Sequence, residues 1–92
     1  MNKVYVICFE QLYSNGEKSM GISYVYSTLR KAKNMLKTIK KDEMQFYIDD
    51  GCNRDYIERH TRDFSRSFII NLVDEYVKFE IVEMEVKWCW TK

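Results

Sequence analysis

His60 is the single histidine of this 92-residue chain, and Cys52 stands eight residues before it. A thiol and an imidazole in hydrogen-bond contact, oriented by a third group, form an activated nucleophile. Here no third group is evident, and a histidine between Arg59 and Arg62 reads as a surface residue. A zinc site needs four soft ligands at short spacing. One histidine and three scattered cysteines (Cys8, Cys52 and Cys89) do not supply them. The run Asp49-Asp50-Gly51-Cys52-Asn53 invites comparison with a calcium loop. Such a loop needs alternating acidic ligands and a glutamate at its twelfth position. Alternation fails here, and Thr61 holds the twelfth place counted from Asp50, so the run reads as a turn that ends a helix. With Gly16, Gly21 and Gly51 as its only glycines, the chain has no glycine-rich phosphate loop, and no metalloprotease or nucleophile-elbow motif occurs. The expectation is a non-enzymatic protein with no catalytic residue, no metal and no cofactor.

The remaining chemistry is charge and aromatic surface. Residues 28–41 carry six basic side chains and no acid. Within that stretch Leu29, Ala32, Met35, Leu36 and Ile39 recur at helical spacing. Arg30, Lys33, Lys37, Lys40 and Lys41 gather on the opposite face, with Lys31 to one side. Such a face either keeps a domain dissolved or meets an acidic groove or a phosphate backbone. Its lysines outnumber arginine, which suits point-charge attraction better than bidentate base reading. Trp88 and Trp90 share one face of the last strand pattern. They read either as a core edge or as anchors for a partner, since tryptophan is enriched among interface hot spots.

These residues need positioning elements. Residues 3–12 form a strand of β-branched and aromatic residues without a breaker. Asn15-Gly16 predicts a two-residue type I′ turn into a return strand over 20–26. That register sets Tyr5 opposite Tyr26, Ile7 opposite Tyr24 and Phe9 opposite Ile22; a longer loop shifts it. Val4, Val6, Cys8 and Val25 then share the other face, where Cys8 reads as a small core residue. Both faces of the hairpin are apolar, whereas an antiparallel sheet with one solvated face alternates with polar residues. Residues 43–65 or another protein chain would then cover the second face, unless its tyrosines stand in solvent and the loop covers the rest. Ser27 is the predicted cap of the helix. The helix runs to about Lys41, with lysines in its last turn to suit its dipole. A second helical stretch opens at Asp42-Glu43 and stops near Asp49-Asp50-Gly51. Residues 52–60 make a short helical turn anchored by Tyr56 and Ile57, and residues 61–67 read as loop. Strands follow over 67–73 and 76–90, joined at Asp74-Glu75. In the last one the apolar phase flips between Ile81 and Val82, which predicts a β-bulge or, alternatively, a turn or strand break near Val82. The fold class is therefore α+β: about four antiparallel strands, an N-terminal hairpin and a C-terminal pair, against one main helix in the order ββα(α)ββ.

One domain accommodates this length, and 46% hydrophobic residues argue against disorder. A net charge of +1 creates no global field toward nucleic acid or membrane, so recognition rests on local asymmetry. No secretory leader pattern opens the chain, no apolar run is long enough to span a bilayer, and the cysteines are odd in number. Together these predict free thiols in a reducing cytoplasm.

Lys3-Val4-Tyr5-Val6 opening a strand, Gly21 through Tyr26-Ser27 ending the next, and Lys31-Ala32 in the following helix resemble short phage and prophage accessory proteins of low-GC bacteria. The likeness covers about the first forty residues and concerns fold. Proteins of that kind are often counter-defence factors, anti-CRISPR proteins among them. The resemblance implies binding to a host protein in the host cytoplasm and supplies no catalytic residue. Two expectations follow: a host-protein binder, with a homodimer as a further form, or a nucleic-acid module using the basic helix face. Arg30, Lys33, Lys37, Lys40, Lys41, Trp88 and Trp90 are the candidate partner-binding residues.

Overall fold

The computed structural model describes residues 2–86. Trp88 and Trp90 lie outside them, as does the end of the strand expected over 76–90. The elements are β1 (Asn2–Leu12), β2 (Lys18–Tyr26), α1 (Leu29–Asp49), α2 (Arg54–Arg59), β3 (Thr61–Phe64), β4 (Ser67–Asn71) and β5 (Tyr76–Val86). All five strands join one antiparallel sheet in the order β2-β1-β5-β4-β3. The fold is α+β, with one strand more than the sequence pattern predicts. The extra strand is β3, formed from residues read above as loop. Its TRDF sequence has little strand character, but pairing with β4 from Thr61↔Ile70 to Phe64↔Ser67 supplies what propensity lacks.

The first hairpin departs from the predicted turn. Tyr13 N donates to Glu17 O and Gly16 N donates to Tyr13 O, which leaves Ser14, Asn15 and Gly16 as a three-residue loop. Only Gly16 has positive φ, at 91°, whereas a type I′ turn needs Asn15 there as well. The Asn15 side-chain oxygen instead accepts from Glu17 N at 2.9 Å. The longer loop slips the register by one residue, so Phe9 faces Gly21 rather than Ile22. A bulge between Ile7 and Cys8, with Ser23 as the extra residue of β2, restores Ile7↔Tyr24 and Tyr5↔Tyr26 as predicted. The chain's bulge is therefore here. In β5 the register against β1 runs unbroken from Leu12↔Tyr76 to Asn2↔Val86, so no bulge lies at Ile81-Val82.

α1 begins one residue later than predicted and ends eight later. Thr28, not Ser27, is the N-cap: its backbone is extended and its hydroxyl accepts from Lys31 N at 3.2 Å. The helix then runs unbroken through Asp42-Glu43, because no residue from Lys41 to Ile48 breaks it and the apolar stripe continues to Tyr47. Lys37, Lys40 and Lys41 thus sit in mid-helix, and the last turn carries no base. Termination at Asp50-Gly51 agrees with the turn reading. Cys52 N donates to Tyr47 O and Gly51 N to Ile48 O, both at 3.0 Å, with Gly51 at φ 105°. This is a Schellman closure, which places the glycine just past the cap. α2 follows, capped by Asn53, whose side-chain oxygen accepts from Asp55 N and Tyr56 N.

The core lies between α1 and one face of the sheet. Ile7, Phe68, Ile70, Val77, Phe79 and Ile81 meet Ala32, Leu36, Tyr47 and Ile57 in one cluster. Phe68 stacks on Phe79 with ring centroids 5.4 Å apart. Tyr47 and Ile57 belong to this same layer, so the end of α1 and α2 pack on the helix side, while residues 61–64 join the sheet as β3. They do not cover the opposite face of the sheet.

Candidate partner-binding surfaces

The opposite face is built by strand parity. Register pairs Val4 with Met84, Val6 with Val82 and Val6 with Val25, and Cys8 with Ile22. All of these side chains point away from α1. Val6 is shielded by its cross-strand valines and is only 3% exposed. Cys8 is half-buried on this face rather than in the core cluster, with its thiol free. Around them Met20, Ile22, Val25, Val82 and Met84 are 70, 64, 57, 37 and 50% exposed. Nothing among the described residues covers them. One end of the face is polar and internally matched. Lys18 and Lys78 lie 3.8 Å from Glu10 and Glu80, and the Tyr76 hydroxyl donates to Glu10. That hydrogen bond pushes the Tyr76 hydroxyl's pKa upward. β2 is also an edge strand of nine residues whose only charge is Lys18, without proline. Such an edge offers unpaired backbone groups to another chain.

On the helix side, β5 changes character at Ile81. Glu83 and Glu85 follow it with the same parity but lie exposed. Glu83 accepts from Lys3 at 3.1 Å and from Arg66 at 3.4 Å. Hydrogen bonds from these two cations hold its carboxyl below the usual carboxylate range.

The basic face of α1 is divided by its neighbours. Arg30, Lys31, Lys37 and Lys41 are exposed, while Lys33 and Lys40 are half-buried. Lys40 Nζ lies 2.6 Å from Asp63 Oδ2 of β3. Between α1 and the β3–β4 hairpin is a cavity of about 220 Å³, lined by Lys33, Leu36, Lys37, Lys40, Phe64 and Phe68. Four of the predicted binding residues thus separate: Lys33, Lys37 and Lys40 meet at this groove, and Arg30 does not line it. Lys41 borders a shallower concavity of about 280 Å³ that shares Lys37 and Lys40 and ends at Met44. Phe64 and Met20 carry no role in the sequence reading, and Ile22, expected opposite Phe9, is turned to the open face by the register slip. Their exposure follows from pairings made across the sheet.

His60 is used structurally. It ends α2, its Nδ1 donates to Tyr56 O at 2.8 Å, and its ring lies 4.2 Å from the Tyr56 ring. Cys52 serves the α1 closure through its backbone. Among the described residues no three of histidine, cysteine, aspartate and glutamate group as metal ligands. No helix among them is long and apolar enough to cross a membrane. What the geometry defines is an α+β domain with one bare apolar sheet face and one lysine-rimmed groove. Comparison with protein-family models, curated proteins and solved structures returns no match.

Proposed function

We propose that this chain is a non-enzymatic interaction protein of phage type that binds a host protein and blocks it, a CRISPR-type defence component being the class in view. The observation that carries the reading is the open sheet face. Exposed Ile22 and Val25 of β2 and Val82 and Met84 of β5 lie on one face, joined through Val4, Val6 and Cys8 of β1, and β2, which also exposes Met20, is the unpaired edge. Contiguous apolar surface of this extent marks an interaction site more often than scattered residues do. Trp88 and Trp90 follow β5 in the sequence with the parity of Val82, Met84 and Val86, and join the anchors of the proposal on that ground.

The test is capture from a lysate of a low-GC host under nuclease treatment and raised salt. A host protein retained by the native chain and lost with Ile22→Thr/Met84→Thr supports the reading. Retention of only the chain's own copies redirects the face to a homodimer. Retention unaffected by the double variant overturns the face as the binding surface.

A second reading, a nucleic-acid module, draws on the exposed Arg30, Lys31, Lys37 and Lys41. It requires affinity for DNA or RNA that falls steeply with salt and with Arg30→Glu, Lys37→Glu and Lys41→Glu. No retention on nucleic acid at low salt disposes of it.

A further inference from the structure

The groove between α1 and the β3–β4 hairpin is independent of the open sheet face and lies on the other side of the sheet. We infer that it is a docking site for a short acidic segment of a partner protein that carries one apolar side chain. Two features act together. The floor is apolar: Leu36 is 7% and Phe68 1% exposed. The rim carries three cations, Lys33, Lys37 and Lys40, against one carboxylate, Asp63. An apolar group in the cavity of about 220 Å³ would place flanking carboxylates against these ammonium groups.

Length agrees as well. The groove and the neighbouring concavity share Lys37 and Lys40 and run from Lys33 to Met44. At about 1.5 Å of helix rise per residue this track is roughly 16 Å long, the span of about five extended residues. No acid of α1 precedes Asp42, so carboxylates meet no repulsion from the helix along the first part of the track. The chain's own terminal residues Lys87–Lys92 carry two lysines and no acid, and their charge is wrong for the site. Asp63 is the internal competitor. Its carboxylate already occupies Lys40 at 2.6 Å, standing where an incoming carboxylate would bind.

Asp63 also supplies the decisive test. A fluorescein-labelled pentapeptide Asp-Glu-Phe-Glu-Asp is titrated by anisotropy against the full chain. Its alanine-for-phenylalanine and lysine-for-acid counterparts and a short oligothymidylate are titrated alongside. Saturable binding of the first peptide, at least about tenfold tighter than either counterpart, is expected. Lys37→Glu weakens it about tenfold. Asp63→Asn frees Lys40 and tightens it about threefold, a gain that misfolding does not produce. No saturable binding, an oligothymidylate bound as tightly as the peptide, or an Asp63→Asn variant that binds no tighter would each overturn the inference. Ile22→Thr leaves peptide binding unchanged, so failure at this groove and failure of the sheet-face reading are told apart.

Discussion

Ile22→Thr separates a docking face from a core, because Ile22 is 64% exposed in the free chain. Something on the order of 100 Å² of its surface is open, and covering that area is worth roughly 2–3 kcal/mol at about 25 cal/mol per Å². Threonine keeps the β-branch and the strand preference. It gives up about half of that apolar gain and brings a hydroxyl that costs about 1–3 kcal/mol to bury unpaired. Partner binding should therefore weaken by about 2–4.5 kcal/mol, or roughly 30- to 2000-fold. Folding should change by no more than about 0.5 kcal/mol, as at other surface positions. Val6→Thr on the same face supplies the contrast. Val6 is 3% exposed between Val25 and Val82. A hydroxyl there loses about 1–3 kcal/mol of stability whether or not a partner exists. The assay is a thermal melt of each variant beside quantitative capture of the retained partner. A melt for Ile22→Thr that falls as far as that of Val6→Thr, or capture that Ile22→Thr leaves intact, refutes the reasoning.

Three further outcomes test the fold that presents these surfaces. Thr28→Ala should cost about 1 kcal/mol in a denaturant melt by removing the α1 cap, while Ser27→Ala should leave the midpoint in place. Gly51→Ala should destabilise by about 1–2 kcal/mol through backbone strain at φ 105°, since no atom within 4 Å would meet the new methyl group. Burial, reinforced by the Glu75 and Glu43 carboxylates, pushes the Tyr47 hydroxyl up to about 12. The raised value means the folded state holds its proton more tightly. Stability from this group is complete below about pH 10 and declines as pH rises toward 12, and absorbance titration of Tyr47→Phe beside the native chain should show one late-titrating tyrosine fewer.

The main helix and the faces of β1 were legible because each rests on local period, whereas the slipped register turned Ile22 of β2 to the face opposite the one expected. Leu29, Ala32, Leu36 and Ile39 repeat every three or four residues, and β1 alternates between Ile7 inward and Val6 outward. Elements settled by pairing were not legible. Thr61–Phe64 carries an arginine, an aspartate and a threonine and becomes a strand only because β4 lies beside it. The hairpin loop and the bulge at Ser23 are two compensating one-residue shifts, and no single residue announces either. Lys33, Lys37 and Lys40 could be grouped from sequence as one face. The groove that joins them needs Phe68 and the β3–β4 hairpin, which lie far along the chain and reach α1 only through the sheet.

The phase change in β5 shows why the open face is a surface waiting for cover. A bulge would have carried the apolar side chains from Ile81 to Val82 on one continuous side. The register with β1 is instead regular, so Val77, Phe79 and Ile81 face α1 while Val82, Met84 and Val86 face away. Where α1 covers the strand, the helix side is apolar and the far side carries Lys78 and Glu80. Past Ile81 the helix side carries Glu83 and Glu85, and the far side turns apolar beside Val4, Val6 and Val25. Each apolar stretch of β5 thus marks the side on which that part of the sheet is to be buried. α1 accounts for the first stretch. The second, together with Met20 and Ile22 on the unpaired edge strand, has no counterpart among the described residues, and a partner's surface is the cover the proposed function assigns to it.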